Sequence, residues 1–158
     1  EFLQAGMPTA LHVNGRTGRD FERWAAFIVE HPEGTDVSFE FTTGAGRPTR
    51  RRQHAAWLCS VVKMVGRPLH LLVRGGSDLL PELCEAFAGV TFLETTSFLK
   101  TMMRYHALKG RVVSWWPYPT AARQLLDDLF ETNWEISRDA ISKMMRRDLS
   151  SAPAVAVA

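Results

Sequence analysis

Two short segments and the helical pattern between them decide the predicted fold. Residues 37–43 read VSFEFTT and residues 69–74 read LHLLVR, and both alternate between apolar and polar side chains, as half-buried strands do. Residues 49–65 lie between them and carry apolar residues at helical spacing, namely Ala55, Leu58, Val61, Val62 and Val65. A strand, a helix and a second strand of these lengths predict a right-handed βαβ unit with parallel strands.

The same alternation continues on both sides of this unit. Strand composition recurs at residues 9–14, 90–95 and 112–116, and helical spacing recurs at residues 20–30, 78–88, 98–108, 121–130 and 137–149. We therefore expect a parallel sheet of about five βα units in a single α/β domain over residues 1–149, with a flexible tail at 150–158. Residues 2–6 resemble the last turn of a helix closed by Gly6, which predicts either a segment missing before them or a short natural N-terminal arm.

The alternation within the strands bears on the architecture. A doubly wound sheet has helices on both faces, and its strands read as continuous apolar runs. Here Ser38, Glu40 and Thr42 oppose an apolar face of the same predicted strand. We therefore favour a partial or truncated TIM-barrel-like sheet, whose inner face is polar toward the strand ends. A flavodoxin-like three-layer sandwich, which suits the length of 158 residues, is the alternative.

The composition excludes several classes of protein. Hydrophobic residues make up 46% and charged residues 23% of the chain, with a formal net charge of +2, which is typical of a globular protein rather than a disordered or fibrous one. The sequence lacks an apolar run of about 18 residues and a signal-peptide pattern at its start. Its two cysteines are too few for a disulfide framework. We expect a cytoplasmic protein that does not enter a membrane.

The carboxyl ends of the predicted strands are the expected place for a ligand, because parallel strands bind ligands beyond those ends. The ligand-binding candidates there are polar residues and glycines that follow a strand or begin a helix: Asn14, Arg16, Arg47, Arg51, Arg74, Gly75, Gly76, Thr95 and Tyr118. Several arginines stand where a helix begins, against the preference of a helix N-terminus for negative charge. An anionic ligand would remove that conflict; the alternative is a basic turn whose side chains extend into water.

Two carboxylates are the candidates for catalysis. Glu40 interrupts an otherwise apolar strand, and Glu94 ends another. A carboxylate in such a place is either paired or functional. Glu40 or Glu94 could serve as a general acid or base, with Arg74 orienting an anion; alternatively, Glu40 and Arg74 form a structural ion pair.

Other chemistry has weaker support in the sequence. No H-x-H or H-E-x-x-H spacing occurs, so we predict no metal site and interpret His12, His54 and His70 as hydrogen-bonded core residues. Gly44-Ala45-Gly46 only begins a dinucleotide-binding fingerprint, so the cofactor stays unassigned. Neither a G-x-S-x-G elbow nor a Walker loop is present.

The leading hypothesis is an α/β domain that binds an anion at its strand ends. The anion could be a phosphorylated metabolite, a nucleotide or a nucleic-acid backbone, and the domain could be an enzyme. One alternative is a nucleic-acid-binding module that uses the basic turn at residues 47–52 together with Trp116. Another is a non-catalytic part of a larger assembly, in which a partner or a missing segment completes the sheet.

Overall fold

A computed structural model of the chain describes residues 5–42, 45, 47, 49–110, 113–121 and 123–146. The contacts between residues divide the chain into two compact units, Glu1–Leu93 and Glu94–Ala158. That residues 1–149 form a single domain stays a prediction, and the tail at 150–158 lies outside the described residues. None of the described helices is both long enough and apolar enough to cross a membrane.

The first unit is built on a four-stranded parallel sheet. Its strands are β1 (Leu11–His12), β2 (Asp36–Glu40), β3 (His70–Arg74) and β4 (Gly89–Leu93), and they lie in the order β1-β2-β3-β4. The α/β class and the parallel sheet are therefore confirmed. Glu40 and Arg74 are register partners at the carboxyl ends of β2 and β3.

Three helices connect these strands. They are α1 (Gly18–Glu30), α2 (Arg51–Val65) and α3 (Leu80–Ala86), the last preceded by a 3-10 turn at Ser77–Leu79. Phe39 of β2 and Phe21 of α1 are buried with ring centroids 6.0 Å apart. Burying an aromatic or aliphatic side chain of this size contributes about 1.5–3 kcal/mol.

The two faces of the sheet differ as the sequence pattern predicts. Val37 and Leu71 are fully buried, whereas their chain neighbours Ser38 and His70 are only half-buried. The face with Val37 and Leu71 packs against the helices, while the other face carries polar side chains. On that polar face the ring of His70 packs against Gly89. A Cβ atom at position 89 would lie 2.9 Å from Cδ2 of the imidazole, so a larger residue would crowd the ring.

The finer architecture is not confirmed. Four strands in this arrangement do not form a closed barrel. The strand order also lacks the reversal that marks a doubly wound sheet, such as the flavodoxin order.

The second unit differs from the prediction. It consists of α4 (Thr96–Met102), a hairpin of β5 (Tyr105–Leu108) and β6 (Ser114–Pro117), and α5 (Asp127–Arg146). The predicted fifth parallel strand at 112–116 is wrong, because β6 pairs antiparallel with β5; Val112 itself lies outside the described residues.

Two helix predictions in this unit are wrong as well. The pattern at 98–108 predicted one helix, but α4 ends at Met102, Arg104 takes a positive φ of 62°, and the chain turns into β5. The patterns at 121–130 and 137–149 predicted two helices, but residues 127–146 form one. Ser137, the first residue of the second pattern, therefore lies inside α5, where it is buried.

A buried asparagine holds the second unit together. Asn133 of α5 is 0% exposed. Its Nδ2 donates to the Thr101 hydroxyl (2.9 Å) and to the Tyr105 carbonyl (2.8 Å), and its Oδ1 accepts from the backbone N–H of Ala107 (2.7 Å). One side chain thus joins α5 to both α4 and β5.

Candidate functional site

A cavity of about 420 Å³ lies in the first unit, at the carboxyl ends of β1 and β2 and beside the first turn of α2. We call it the strand-end cavity. Four predicted site residues line it: Asn14, Arg16, Glu40 and Arg47. Its polar lining also includes three residues that were not among the predicted ligand-binding residues, His12, Arg50 and His54. Its place in the fold matches the place that the sequence predicted for a ligand.

The loop after β1 forms one wall, and Asp20 of α1 fixes it. The Asp20 carboxylate accepts hydrogen bonds from the backbone N–H groups of Arg16 (2.9 Å) and Thr17 (3.0 Å) and from the Thr17 hydroxyl (3.0 Å). These donors, with the Arg16 N–H the strongest, lower the pKa of Asp20. Gly15 is required here, because a Cβ atom would lie 2.8 Å from Cβ of Asp20. The backbone that carries Arg16 is therefore held by the protein itself.

Glu40 forms a second wall, and its carboxylate is held in place. Its Oε1 accepts a hydrogen bond from Nη1 of Arg74 at 3.3 Å and another from the Thr42 hydroxyl. The structural ion pair raised from the sequence is therefore present. Glu40 also faces the strand-end cavity, and its use as a general acid or base stays a prediction.

The third wall is the start of α2, which is rich in positive charge. The first turn of α2 contains no acidic residue, and Arg50 precedes the helix. The Arg47 carbonyl accepts hydrogen bonds from the N–H groups of Arg50 (2.8 Å) and Arg51 (3.0 Å), which places Arg47 and Arg50 in one tight turn. With Arg16, three arginines and one glutamate line the cavity.

His54 is the buried polar residue of the cavity. It is 5% exposed, and its Nδ1 donates to the Arg50 carbonyl one helical turn earlier, at 3.0 Å. The rings of Trp57, Phe21 and Phe39 surround it at centroid distances of 5.1, 6.2 and 6.4 Å. The sequence predicts a core position for His54, and the residue is buried. Arg50 and His54 are four residues apart, so a helix at this place brings them to one face. This spacing is the sequence signal that could have placed both residues at the cavity.

The other predicted residues of the first unit lie outside the described lining of the cavity. Arg51 forms an ion pair with Asp78 at 3.1 Å, and Arg74 contacts Glu40.

Gly75 and Gly76 have positive φ values of 74° and 67°. A Cβ atom would lie 2.8 Å from Thr42 at Gly75 and 3.0 Å from the Phe41 ring at Gly76. Packing thus accounts for both glycines, and their contact with a ligand stays a prediction.

Three predicted residues belong to the second unit. The Glu94 carboxylate accepts hydrogen bonds from the N–H groups of Thr96 (2.7 Å) and Ser97 (3.1 Å), so it caps the start of α4. The Thr95 carbonyl accepts the Leu99 N–H at 3.2 Å. Tyr118 is half exposed and its ring lies 5.7 Å from that of His106. The roles predicted for Glu94, Thr95 and Tyr118 in catalysis or binding stay predictions.

In the described part of the chain, no group of three or more His, Cys, Asp and Glu side chains is placed to hold a metal ion. Burial, with the Glu82 carboxylate nearby, raises the pKa of the Cys59 thiol to about 11, so this thiol stays protonated near neutral pH.

Comparison with known proteins yielded no relative: no protein-family model, curated protein or solved structure matches the chain.

Proposed function

We propose that the first unit binds a small anionic molecule, a phosphorylated metabolite or a nucleotide, in the strand-end cavity. The observation that carries this proposal is the convergence of three arginines, Arg16, Arg47 and Arg50, in the lining of one cavity at the strand ends. Its volume of about 420 Å³ falls within the range of small-molecule sites, about 300–1,000 Å³.

The lining residues suit two different parts of such a ligand, its anionic group and its hydroxyl groups. Guanidinium groups donate pairs of parallel hydrogen bonds to phosphate or carboxylate oxygens, which suits Arg16, Arg47 and Arg50 to the anionic group. Asn14 and Glu40 offer acceptors for hydroxyl groups of the same ligand. Arg74 acts through Glu40, whose carboxylate it holds.

The strand order supports a barrel-like interpretation of the sheet. Strands that follow one another in sequence order, with helices packed on one face, repeat the arrangement of consecutive units in a (β/α) barrel. In such sheets, catalytic groups stand at the carboxyl ends of strands, where Glu40 lies. We therefore retain Glu40 as the residue for acid–base chemistry if the domain is an enzyme.

Nucleic-acid binding through residues 47–52 is the less favoured candidate. Arg51 of that turn is already paired with Asp78. Arg47 and Arg50 line a cavity, whereas a nucleic-acid backbone is usually followed by an open, basic groove.

Isothermal titration calorimetry tests the proposal with ribose 5-phosphate, adenosine monophosphate and a single-stranded oligonucleotide. Each charge-assisted hydrogen bond contributes about 1.5–3 kcal/mol. The double variant Arg47→Ala with Arg50→Ala removes at least one such bond from each arginine and should therefore weaken binding of a small phosphate by at least about a hundredfold.

Arg52→Ala is the matched control, since Arg52 is an exposed residue of the same turn outside the described cavity lining. It should leave the affinity for the small phosphates unchanged. Equal losses in the two variants, or a wild-type protein that binds neither small phosphate, would overturn the proposal. Tight oligonucleotide binding that falls steeply with salt would favour the nucleic-acid module instead.

A further inference from the structure

A second cavity of the first unit contains two large aromatic side chains. Its volume is about 420 Å³, and it is lined by Asn14, Asp20, Arg23, Trp24 and Phe27. We call it the aromatic cavity. Asn14 also lines the strand-end cavity, so the two cavities adjoin at this residue. A ligand larger than a phosphorylated sugar could therefore extend from one cavity into the other.

The two aromatic side chains are held in place by the protein itself. The Trp24 indole N–H donates a hydrogen bond to the Asn14 carbonyl at 2.8 Å, and the Phe27 ring stacks on His31 with ring centroids 4.1 Å apart. The rings of Trp24 and Phe27 lie edge to face at 5.9 Å and 85°. Phe27 is nevertheless 40% exposed. A fixed and partly exposed aromatic surface in a cavity is suited to stack on a planar ring of a ligand.

The charges of the two cavities differ. The lining of the strand-end cavity contains three arginines and one glutamate, whereas the lining of the aromatic cavity contains one arginine, Arg23, and one aspartate, Asp20. The strand-end cavity therefore suits an anion. The aromatic cavity suits an uncharged group, because the opposite charges of its lining offset one another. A phosphate joined through a sugar to an uncharged planar ring is a nucleotide.

We infer that the ligand is a nucleotide, whose phosphate occupies the strand-end cavity and whose base stacks on Trp24 and Phe27 in the aromatic cavity. This inference rests on the proposed anion site and specifies its ligand. The ribose then lies near Asn14, where the two cavities adjoin, and an asparagine amide can bind its hydroxyl groups. Arg23 offers donors to the ring nitrogens or carbonyl oxygens of the base.

Calorimetric titrations with adenosine monophosphate and ribose 5-phosphate test the inference, because the two ligands share a phosphate and a ribose and differ in the base. Base stacking on aromatic side chains should make the nucleotide bind about five- to 150-fold more tightly than the sugar phosphate. Phe27→Ala should remove most of this difference. It should leave the affinity for ribose 5-phosphate unchanged, because Phe27 lies outside the described lining of the strand-end cavity.

Val29→Ala is the matched control. Val29 is a 55% exposed residue of the same helix and lies outside the described lining of both cavities. This variant should bind both ligands as the wild-type protein does. Circular dichroism and the melting temperature check that both variants fold.

Nuclear Overhauser effects locate the base in the wild-type protein and need no variant. They should connect the adenine H2 and H8 protons to ring protons of Trp24 and Phe27. Equal affinities for the two ligands, a nucleotide preference that Phe27→Ala leaves intact, or Overhauser effects confined to other rings would overturn the inference and leave the anion site standing. Absence of binding by both ligands would overturn the inference together with the proposed function.

Discussion

Replacing Asn133 by alanine tests how the second unit is held together. Asn133 is fully buried, and its amide bridges α5 to the Thr101 hydroxyl and to two backbone groups of β5, the Tyr105 carbonyl and the Ala107 N–H. Thr101 keeps its own hydrogen bond to the Ser97 carbonyl at 2.8 Å in the variant. The two backbone groups lose the partner that Asn133 provides.

The expected cost follows from those two groups. A buried donor or acceptor left without its partner costs about 1–3 kcal/mol. Two of them give about 2–6 kcal/mol, and water that enters the vacated space reduces this range. We therefore expect Asn133→Ala to lower the free energy of unfolding by about 3 kcal/mol, a large part of the 5–15 kcal/mol of an ordinary domain.

Urea unfolding followed by far-ultraviolet circular dichroism measures this change. Thr132→Ala is the control, because Thr132 is the exposed neighbour whose hydroxyl donates to the Asp128 carbonyl of its own helix. Its effect should stay within about 0.5 kcal/mol. Hydrogen exchange at Ala107 should accelerate in the Asn133 variant. A loss below about 1 kcal/mol with unchanged exchange would refute the bridging role of Asn133.

Two further predictions concern the first unit. Gly76→Ala should destabilise the protein by about 1–3 kcal/mol in thermal or urea unfolding, since its φ of 67° is unfavourable for alanine and its Cβ atom would crowd the Phe41 ring at 3.0 Å; an unchanged stability would contradict this packing. The Thr35 hydroxyl and the His70 ring lower the pKa of Asp36, so the stability it contributes is present above its unfolded pKa of about 3.9 and is lost as the pH falls below that value. From about pH 6 to pH 3, the free energy of unfolding should therefore fall less in Asp36→Asn than in the wild type. Equal falls in the two proteins would contradict a lowered pKa of Asp36.

The sheet of the first unit was predictable because its signals are local. The alternation around Phe39 and around Leu71 follows from burial on one face, and both strands form where the pattern places them. Helix α2 ends at Val65 with Gly66 in a left-handed conformation, as the glycine predicts.

The second unit was not predictable in the same way, because distant residues decide its structure. Asn133 lies 26 residues further along the chain, and its Oδ1 accepts a hydrogen bond from the backbone N–H of Ala107. This bond stabilises a strand at a position where the local spacing predicted a helix. Likewise, the hydroxyl of Ser137 in α5 accepts a hydrogen bond from the hydroxyl of Ser97 in α4, at 2.9 Å. The serine at which the sequence pattern begins a new helix thereby lies inside a longer one.

The candidate site was predicted in part. Asn14, Arg16, Glu40 and Arg47 follow strands, and strand ends meet at one edge of the sheet, so their convergence follows from topology. The contribution of His54 required knowledge of the packing of α2 against the sheet. The sequence predicted the burial of His54 but not its place in the cavity lining.

Amide chemical shifts measured by NMR during a titration with ribose 5-phosphate test the central claim, that the strand-end cavity is an anion site. We expect the largest changes at residues 12–16 and 49–54, which surround the cavity, and we expect Arg47→Ala with Arg50→Ala to abolish them. Changes concentrated in residues 94–146, or a spectrum that the phosphate leaves unaltered, would contradict the claim.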